Sequence, residues 1–408
     1  MNPSRPRVVI VGGNFAGLVA ASRLSDDHDV TVVDARIDFE WTPNIHEILS
    51  GVKTRSNVVL SRAECVERYG HTFLHDTVTR IDPDNEHVLT ESGLVLPFDA
   101  CLIAAGSQRQ TYGVEGADKH ALNLRLVDDA VKIGRRLDRL AARDRRASVV
   151  IVGGGVSGVE AAGEILRRRG QGDEYDIHIV EMESRILGQL PRGLAKDAIA
   201  RMEAHPVTVH TEETVEKLTS RSVTLSSGKK LPADLCIWSA GMTLPGFLAE
   251  SGLADDDDTW LPVDEMLRSC YDGNIFVAGD CAELPEPVRK QAYNAMNMGE
   301  IAGDNIARLL AGRRLRRFRP SPMPMLVSFG DITTWLVAGD FVAASPVLAT
   351  GKEAVYQATM ARLASPKQPL KYSSEIIGRA SLATHKLLLP QLTAQKIFAG
   401  LMGSRIVS

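Results

Sequence analysis

Two short glycine clusters carry the first chemical information in the chain. Gly153, Gly155 and Gly158 stand at G-x-G-x-x-G spacing, with Glu181 further on. Gly12, Asn14 and Gly17 repeat the spacing, with an asparagine in the middle position, and Asp34 follows. A dinucleotide pyrophosphate needs a tight turn, a close backbone approach and the free N–H groups of a helix N-terminus, and glycines at these intervals allow all three. A carboxylate about 20 positions on receives the ribose hydroxyls. Both clusters therefore read as dinucleotide sites. Asn14 tolerates unusual backbone angles better than most residues, but its side chain is expected to crowd a phosphate. Glu181 is expected to favour NADH, because a carboxylate repels the 2′-phosphate of NADPH, and Arg185 lies near enough to soften that preference.

The elements that would hold these residues are legible around them. Val8–Val11 is a short β-branched apolar run, as expected of a buried parallel strand. Helical spacing follows from Leu18 to Leu24, then a strand Val30–Val33 ending at Asp34. The same βαβ order recurs with strand Val149–Val152, a helix through Leu166 and strand Ile177–Val180 ending at Glu181. The fold class expected is α/β, with two Rossmann-like domains and a smaller C-terminal α+β region. Two dinucleotide sites in one chain have a simple explanation: one holds FAD, and the other receives a diffusible nicotinamide that reduces it. Short strands between Thr72 and Pro97, near Val207–Val209 and near Val223–Leu225 are expected to be β insertions. Thr42-Pro43 reads as a helix start, with Thr42 as N-cap. The acidic run Asp255–Asp258 reads as a solvated loop.

Composition narrows the class. The 408 residues suggest two or three domains, and 44% hydrophobic residues is ordinary for a globular chain. A net charge of -4 gives no basic footprint for nucleic acid. Five scattered cysteines, without C-x-x-C spacing, argue against a disulfide framework or a metal site and fit a reducing cytoplasm. No signal-like N-terminus and no run near ~20 apolar residues is present, so the expected location is cytoplasmic or peripheral to the inner face of the membrane.

Further motifs resemble the pyridine nucleotide–disulfide oxidoreductase superfamily, in particular the type II NADH dehydrogenases. These are Asp99–Ser107, Asp234–Gly241, Asn274–Asp280 and the segment Phe39–Gly51 around Thr42-Pro43. The resemblance covers about residues 5–320. It implies a discontinuous FAD domain (1–120 and 245–320), an NAD(H) domain (121–244) and a C-terminal substrate or interface region (321–408). It also implies roles. Gly12, Asn14, Gly17 and Asp34 would serve the FAD pyrophosphate and ribose, Gly106 would lie in the turn leaving that domain, and Gly279 and Asp280 would hold the ribityl chain. Thr42 and Pro43 would lie near the flavin ring. Gly153, Gly155, Gly158 and Glu181 would hold NADH, with Glu160 near the nicotinamide. Gln291 matches one member of a glutamine pair that faces quinone in those enzymes; the second is absent, which leaves the acceptor open.

His46 and Glu47 follow Pro43, where a histidine could relay a proton to the reduced acceptor. Cys101, Cys236 and Cys281 read as small core residues rather than the redox thiols of disulfide reductases or sulfide:quinone oxidoreductases. Met296 and Met298 read as packing. Arg313–Arg319 reads as a solvated helix end or a contact with anionic lipid. The apolar clusters Leu387–Pro390 and Ile397–Met402 fit membrane docking, a homodimer interface or packing. The expected partner is a small-molecule electron acceptor, quinone-like or otherwise. A tailoring flavoenzyme, a reductase of an electron-carrier protein and a non-catalytic redox sensor remain alternatives.

Overall fold

The computed structural model describes residues 5–168, 174–255, 259–321, 323–364 and 405–407. The expected solvated stretch at Asp256–Asp258 and the apolar clusters Leu387–Pro390 and Ile397–Met402 lie outside the described residues.

Each glycine-loop strand sits at the centre of a five-stranded parallel sheet. In the first, the order is Ile275–Val277, Ala100–Ile103, Arg7–Val11, Asp29–Asp34, Thr72–His75. In the second it is Ala121–Asn123, Leu235–Trp238, Ala147–Val152, Tyr175–Val180, Val207–His210. The continuous apolar runs arise because both faces of a parallel sheet are covered: Val8–Val11 and Val149–Val152 are buried at every position. The helix after the first loop spans Phe15–Ala21, three residues earlier than the apolar spacing suggests, and the second spans Val156–Arg167.

Two expected insertion strands belong to the main sheets instead. Thr72–His75 and Val207–His210 are the outer parallel strands. Their short length and mixed burial hide this in sequence, since an outer strand is covered less fully than a central one. The antiparallel insertions are Val78–Asp82, His87–Thr90 and Val95–Pro97 on one unit, and Val215–Leu218, Ser222–Leu225 and Lys230–Pro232 on the other. The chain passes between the sheets along a two-stranded ribbon, Gln108–Arg109 against Met242–Thr243.

The strand Ile275–Val277 returns the chain to the first sheet, and the helix Ala292–Leu310 then crosses Phe15–Ala21 at backbone contact. A Cβ on Gly299 would stand 2.2 Å from the Ala16 carbonyl oxygen, and one on Gly303 2.6 Å from that of Ala20. After it come three antiparallel strands, Met325–Phe329, Thr333–Ala338 and Phe341–Ser345, and the helix Leu348–Leu363. This last sheet presses on the second loop's helix, where a Cβ on Gly163 would lie 2.3 Å from the Gly330 nitrogen. That close approach brings residues such as Met325 and Lys352 into the cleft that both glycine loops border.

Candidate active site

The two loops solve the same steric problem in the same way. Gly12 and Gly153 have φ of +97° and +104°, angles that L side chains rarely adopt. A Cβ on Gly17 would lie 1.8 Å from the Gly12 carbonyl oxygen, and one on Gly158 2.0 Å from that of Gly153. These glycines let helix and strand touch. Gly155 differs: a Cβ there meets nothing within 4 Å, so its missing side chain leaves the backbone open to the cleft. Each acidic residue accepts a hydrogen bond from the amide of the glycine next in its loop. Asp34 Oδ2 takes Gly13 N–H at 2.8 Å, and Glu181 Oε2 takes Gly154 N–H at 2.7 Å.

Asn14 turns its side chain to the neighbouring strand. Its φ is −95°, so the tolerance of positive φ that sequence reasoning offered is not what the site uses. The side-chain amide pairs with the Glu40 backbone, donating to the carbonyl at 3.3 Å and accepting from the N–H at 3.1 Å. It ties the loop to the strand Asp38–Glu40. Arg185 donates to the carbonyls of Leu187, Gly188 and Leu190. Those bonds occupy its guanidinium, so it is not held as a counter-charge to Glu181.

The segment after Glu40 enters the cleft through a 3-10 turn at Thr42–Asn44 and a short helix Glu47–Ser50. Trp41, not Thr42, is the N-cap, and Pro43 is the second residue of the turn, one position from expectation. Trp41 Nε1 donates to Asn44 Oδ1 at 2.7 Å, and Asn44 Nδ2 to Glu47 Oε1 at 2.6 Å. Across the cleft, Asp280 follows Gly279, whose φ is +85°. Ser107 Oγ donates to Asp280 at 3.4 Å and receives Arg125 at 2.8 Å. Burial raises the Asp280 carboxyl above its ordinary value, and Arg125 opposes that rise.

A buried ionic cluster closes this end. Glu160 Oε1 accepts from Lys352 Nζ at 2.6 Å and from Ser328 N–H at 3.1 Å. His46 Nδ1 lies 3.4 Å from Glu160 Oε2, and its Nε2 lies 3.1 Å from Lys352 Nζ. An ammonium only donates, so Nε2 is the acceptor and Nδ1 carries the proton toward Glu160. Burial, then Lys352 and Lys53, push the His46 pKa well below its ordinary value, which keeps the ring neutral.

Glu164 stands one turn beyond Glu160. Burial pushes its carboxyl up to about 7, and its Oε2 has no hydrogen-bond partner among the described residues. A carboxyl raised in the folded state adds stability below its ordinary value of 4.5 and loses it as pH climbs through about 7. Glu164→Gln is therefore expected to match the parent in acid and to exceed it on the order of 1–3 kcal/mol above neutrality. Denaturant unfolding across that pH range checks this; curves that stay parallel at every pH would refute it.

Both glycine loops, Asp34, Glu181, Asp280, His46, Glu160 and Lys352 border one cleft of about 3360 Å³. Single small-molecule sites are ~300–1,000 Å³, so the space suits more than one extended ligand. Every site residue expected from sequence borders it except Gly17 and Gly158, which sit behind the loops. Gln291 borders it as N-cap of the helix Ala292–Leu310 rather than within it, with Nε2 3.3 Å from Met325 Sδ. Met298 is buried as packing, whereas Met296 borders the cleft.

The family model for pyridine nucleotide-disulphide oxidoreductases matches residues 6–299. The chain belongs to that family. It is an FAD-dependent oxidoreductase that uses NADH. A demethylphylloquinone reductase, NdbB, of Synechocystis is 30% identical over 352 residues, which span 81% of this chain and 86% of its own. A type II NADH:quinone oxidoreductase of Haemophilus influenzae is 24% identical, over 86% of this chain and 90% of its own. In fold, the chain resembles the Plasmodium falciparum NDH2 solved in complex with NADH, with a TM-score of 0.80 at 15% identity, covering 95% of this chain and all of that one.

The family's name mentions disulphide chemistry, but Cys101, Cys236 and Cys281 sit in the packed interior. Cys101, Cys236 and Cys281 are buried thiols, and burial pushes Cys236 and Cys281 up to about 12, far from a thiolate. Sequence reasoning missed Lys352, Arg125 and Ser328. Arg125 and Ser328 carry no local motif, and Lys352 reaches His46 across 306 positions. The closure of the sheet over residues 325–345 onto the second loop's helix brings Lys352 and Ser328 to Glu160, whereas Arg125 reaches Ser107 and Asp280 away from it.

Proposed function

We propose that the protein oxidises NADH through bound FAD and delivers the electrons to a quinone. The carrying observation is that the buried His46–Glu160–Lys352 cluster borders the same cleft as the two glycine loops. An acceptor that takes protons along with electrons needs such a cluster, and a one-electron protein carrier does not. The relatives named as quinone reductases support the same acceptor class.

The donor set fits FAD and NADH. The loop Gly12–Gly17 would take the flavin pyrophosphate, Asp34 its adenosine ribose and Asp280 its ribityl hydroxyls, with Thr42 and Pro43 beside the ring. Gly153, Gly155 and Glu181 would take NADH. When bound, the flavin supplies the two-electron transfer between nicotinamide and acceptor. The chain's part is orientation and proton handling. Neutral His46 faces Glu160 with one nitrogen and Lys352 with the other, so it can pass a proton without acquiring lasting charge. Gln291, Tyr293, Met296 and Met325 border the cleft where the acceptor would lie.

Because quinones with long tails reside in lipid, contact with a membrane surface belongs to this reading; among the described residues no helix is long and apolar enough to cross a membrane. Flotation with lipid vesicles tests that part. The acceptor is tested by reducing the purified enzyme anaerobically with NADH and then mixing it with benzoquinones, naphthoquinones or ferredoxin. Rapid reoxidation by quinones supports the proposal, and reoxidation by the protein carrier alone would sink it.

The nicotinamide preference has its own expected result. Glu181→Ala should narrow the preference for NADH over NADPH by roughly tenfold, the loss of about 1.4 kcal/mol of repulsion. Comparing kcat/KM for the two donors checks it. An unchanged ratio would mean that Glu181 does not read the 2′ position.

A further inference from the structure

We propose that Glu353, Lys53 and Glu47 form an inward line that carries solvent protons to His46 and Glu160. This rests on the quinone reading above. A quinone gains two electrons and two protons on becoming a quinol, while NADH gives up two electrons and one proton. The remaining proton comes from water in each turnover. A quinone in the apolar end of the cleft displaces water from it, so that proton has to cross protein.

The groups lie in sequence from surface to cleft. The Glu353 side chain is 43% exposed, and its Oε2 lies 2.6 Å from Lys53 Nζ. The Lys53 and Glu47 side chains are 8% and 12% exposed, with 3.3 Å between Nζ and Oε2. The other Glu47 oxygen lies 4.0 Å from His46 Nε2. His46 borders the cleft and meets Glu160. Every step but one is within hydrogen-bond reach, and a single water or a small rotation spans the 4.0 Å step. Glu353 lies on the helix Leu348–Leu363, Lys53 follows the turn at Gly51, and Glu47 begins the helix Glu47–Ser50, so the line crosses three elements.

Buried ion pairs are a poor way to hold three elements together, because apolar side chains of similar volume do so without the desolvation cost. Lys53 is kept inside by its two carboxylates and by the Tyr356 ring, 4.1 Å away. Glu47 is faced by Asn44 and Lys53, and feels Glu160 and Glu164 from the opposite helix and Tyr356 from the last one. His46 also feels Lys352 and Arg167. Glu164, which holds a proton near neutrality, flanks the line.

The test compares acceptors. Ferricyanide takes electrons singly and takes up no proton, whereas a water-soluble quinone requires one from solvent. Glu47→Gln, Lys53→Met and Glu353→Gln in the FAD-loaded enzyme should each lower quinone kcat, by roughly 10–100-fold for the two buried positions. Ferricyanide turnover should be unchanged. A solvent deuterium effect should appear on the quinone reaction, and a pH-indicator dye should show slowed proton uptake. Glu353→Asp should restore most of the rate. Glu353→Gln, at the exposed end, keeps the test decisive if Lys53→Met fails to fold. Equal losses with both acceptors would make the residues struts and overturn the proposal, as would wild-type quinone rates with no isotope effect. A parent enzyme inert to every quinone overturns the acceptor reading instead, and is seen before any variant is made.

Discussion

Gly17→Ala is expected to purify without its yellow colour. The added Cβ would stand 1.8 Å from the Gly12 carbonyl oxygen, and neither atom can move far. Gly12 is fixed by its N–H bond to Val33, and the helix Phe15–Ala21 is pinned from behind by Gly299 against Ala16. The helix must lift from the strand, and its N-terminal amides then leave the pyrophosphate position. Forced overpacking costs about 1–3 kcal/mol, and every 1.4 kcal/mol is tenfold in affinity, so FAD binding should weaken by roughly 10–100-fold. Gly155→Ala is the control. Its Cβ meets no protein atom within 4 Å, so FAD content and thermal midpoint should match the parent while KM for NADH rises. Measuring bound FAD by acid release and absorbance separates the two. A fully flavinated Gly17→Ala protein would show that the contact between helix and strand does not govern flavin binding.

Lys352→Met should be the most damaging change at the other end of the cleft. Glu160 is 6% exposed and faces a neutral imidazole, so Lys352 is its balancing charge. Removing one partner of a buried pair costs about 3–5 kcal/mol. Quinone turnover should fall by about 100-fold, since the proton-holding cluster is broken. Adding Glu160→Gln should recover most of the stability, because no charge is then left unpaired, but not the turnover. Denaturant unfolding of the single and double variants, beside quinone kinetics, checks both halves. A double variant as unstable as the single would show that the pair is not what Lys352 contributes.

The contrast between these two sites explains how far the sequence could be read. Gly12, Gly17, Gly153 and Gly158 announce themselves because their constraint is local: a strand, a turn and a helix within a few residues. Asp34 and Glu181 follow from the same unit. The role of the Asn14 side chain in tying the loop to Glu40 is hidden in sequence because that partner is 26 residues away. His46 and Glu160 could be singled out one at a time, but their meeting depends on Lys352 and Ser328, which no spacing rule connects to them. Outer strands such as Val207–His210 were misread for a similar reason: alternation in a short segment reports partial burial, not which sheet it joins.

The way the first sheet is completed bears on how the protein comes into being. Its outer strand Ile275–Val277 and its crossing helix Ala292–Leu310 come from far along the chain, whereas the second sheet is assembled from Ala121 to Trp238 without interruption. During synthesis the second sheet can therefore form while the first still waits for its last strand. Until then the edge of Ala100–Ile103 has no neighbour on that side, and unpaired strand edges are where nascent chains aggregate. The long-range pairing is also slow to find. With FAD in the first unit, as proposed, flavin capture is a late event in the birth of the molecule, waiting until the helix Ala292–Leu310 has left the ribosome, and a supply of free FAD at that moment would shelter the slowest-forming part of the fold.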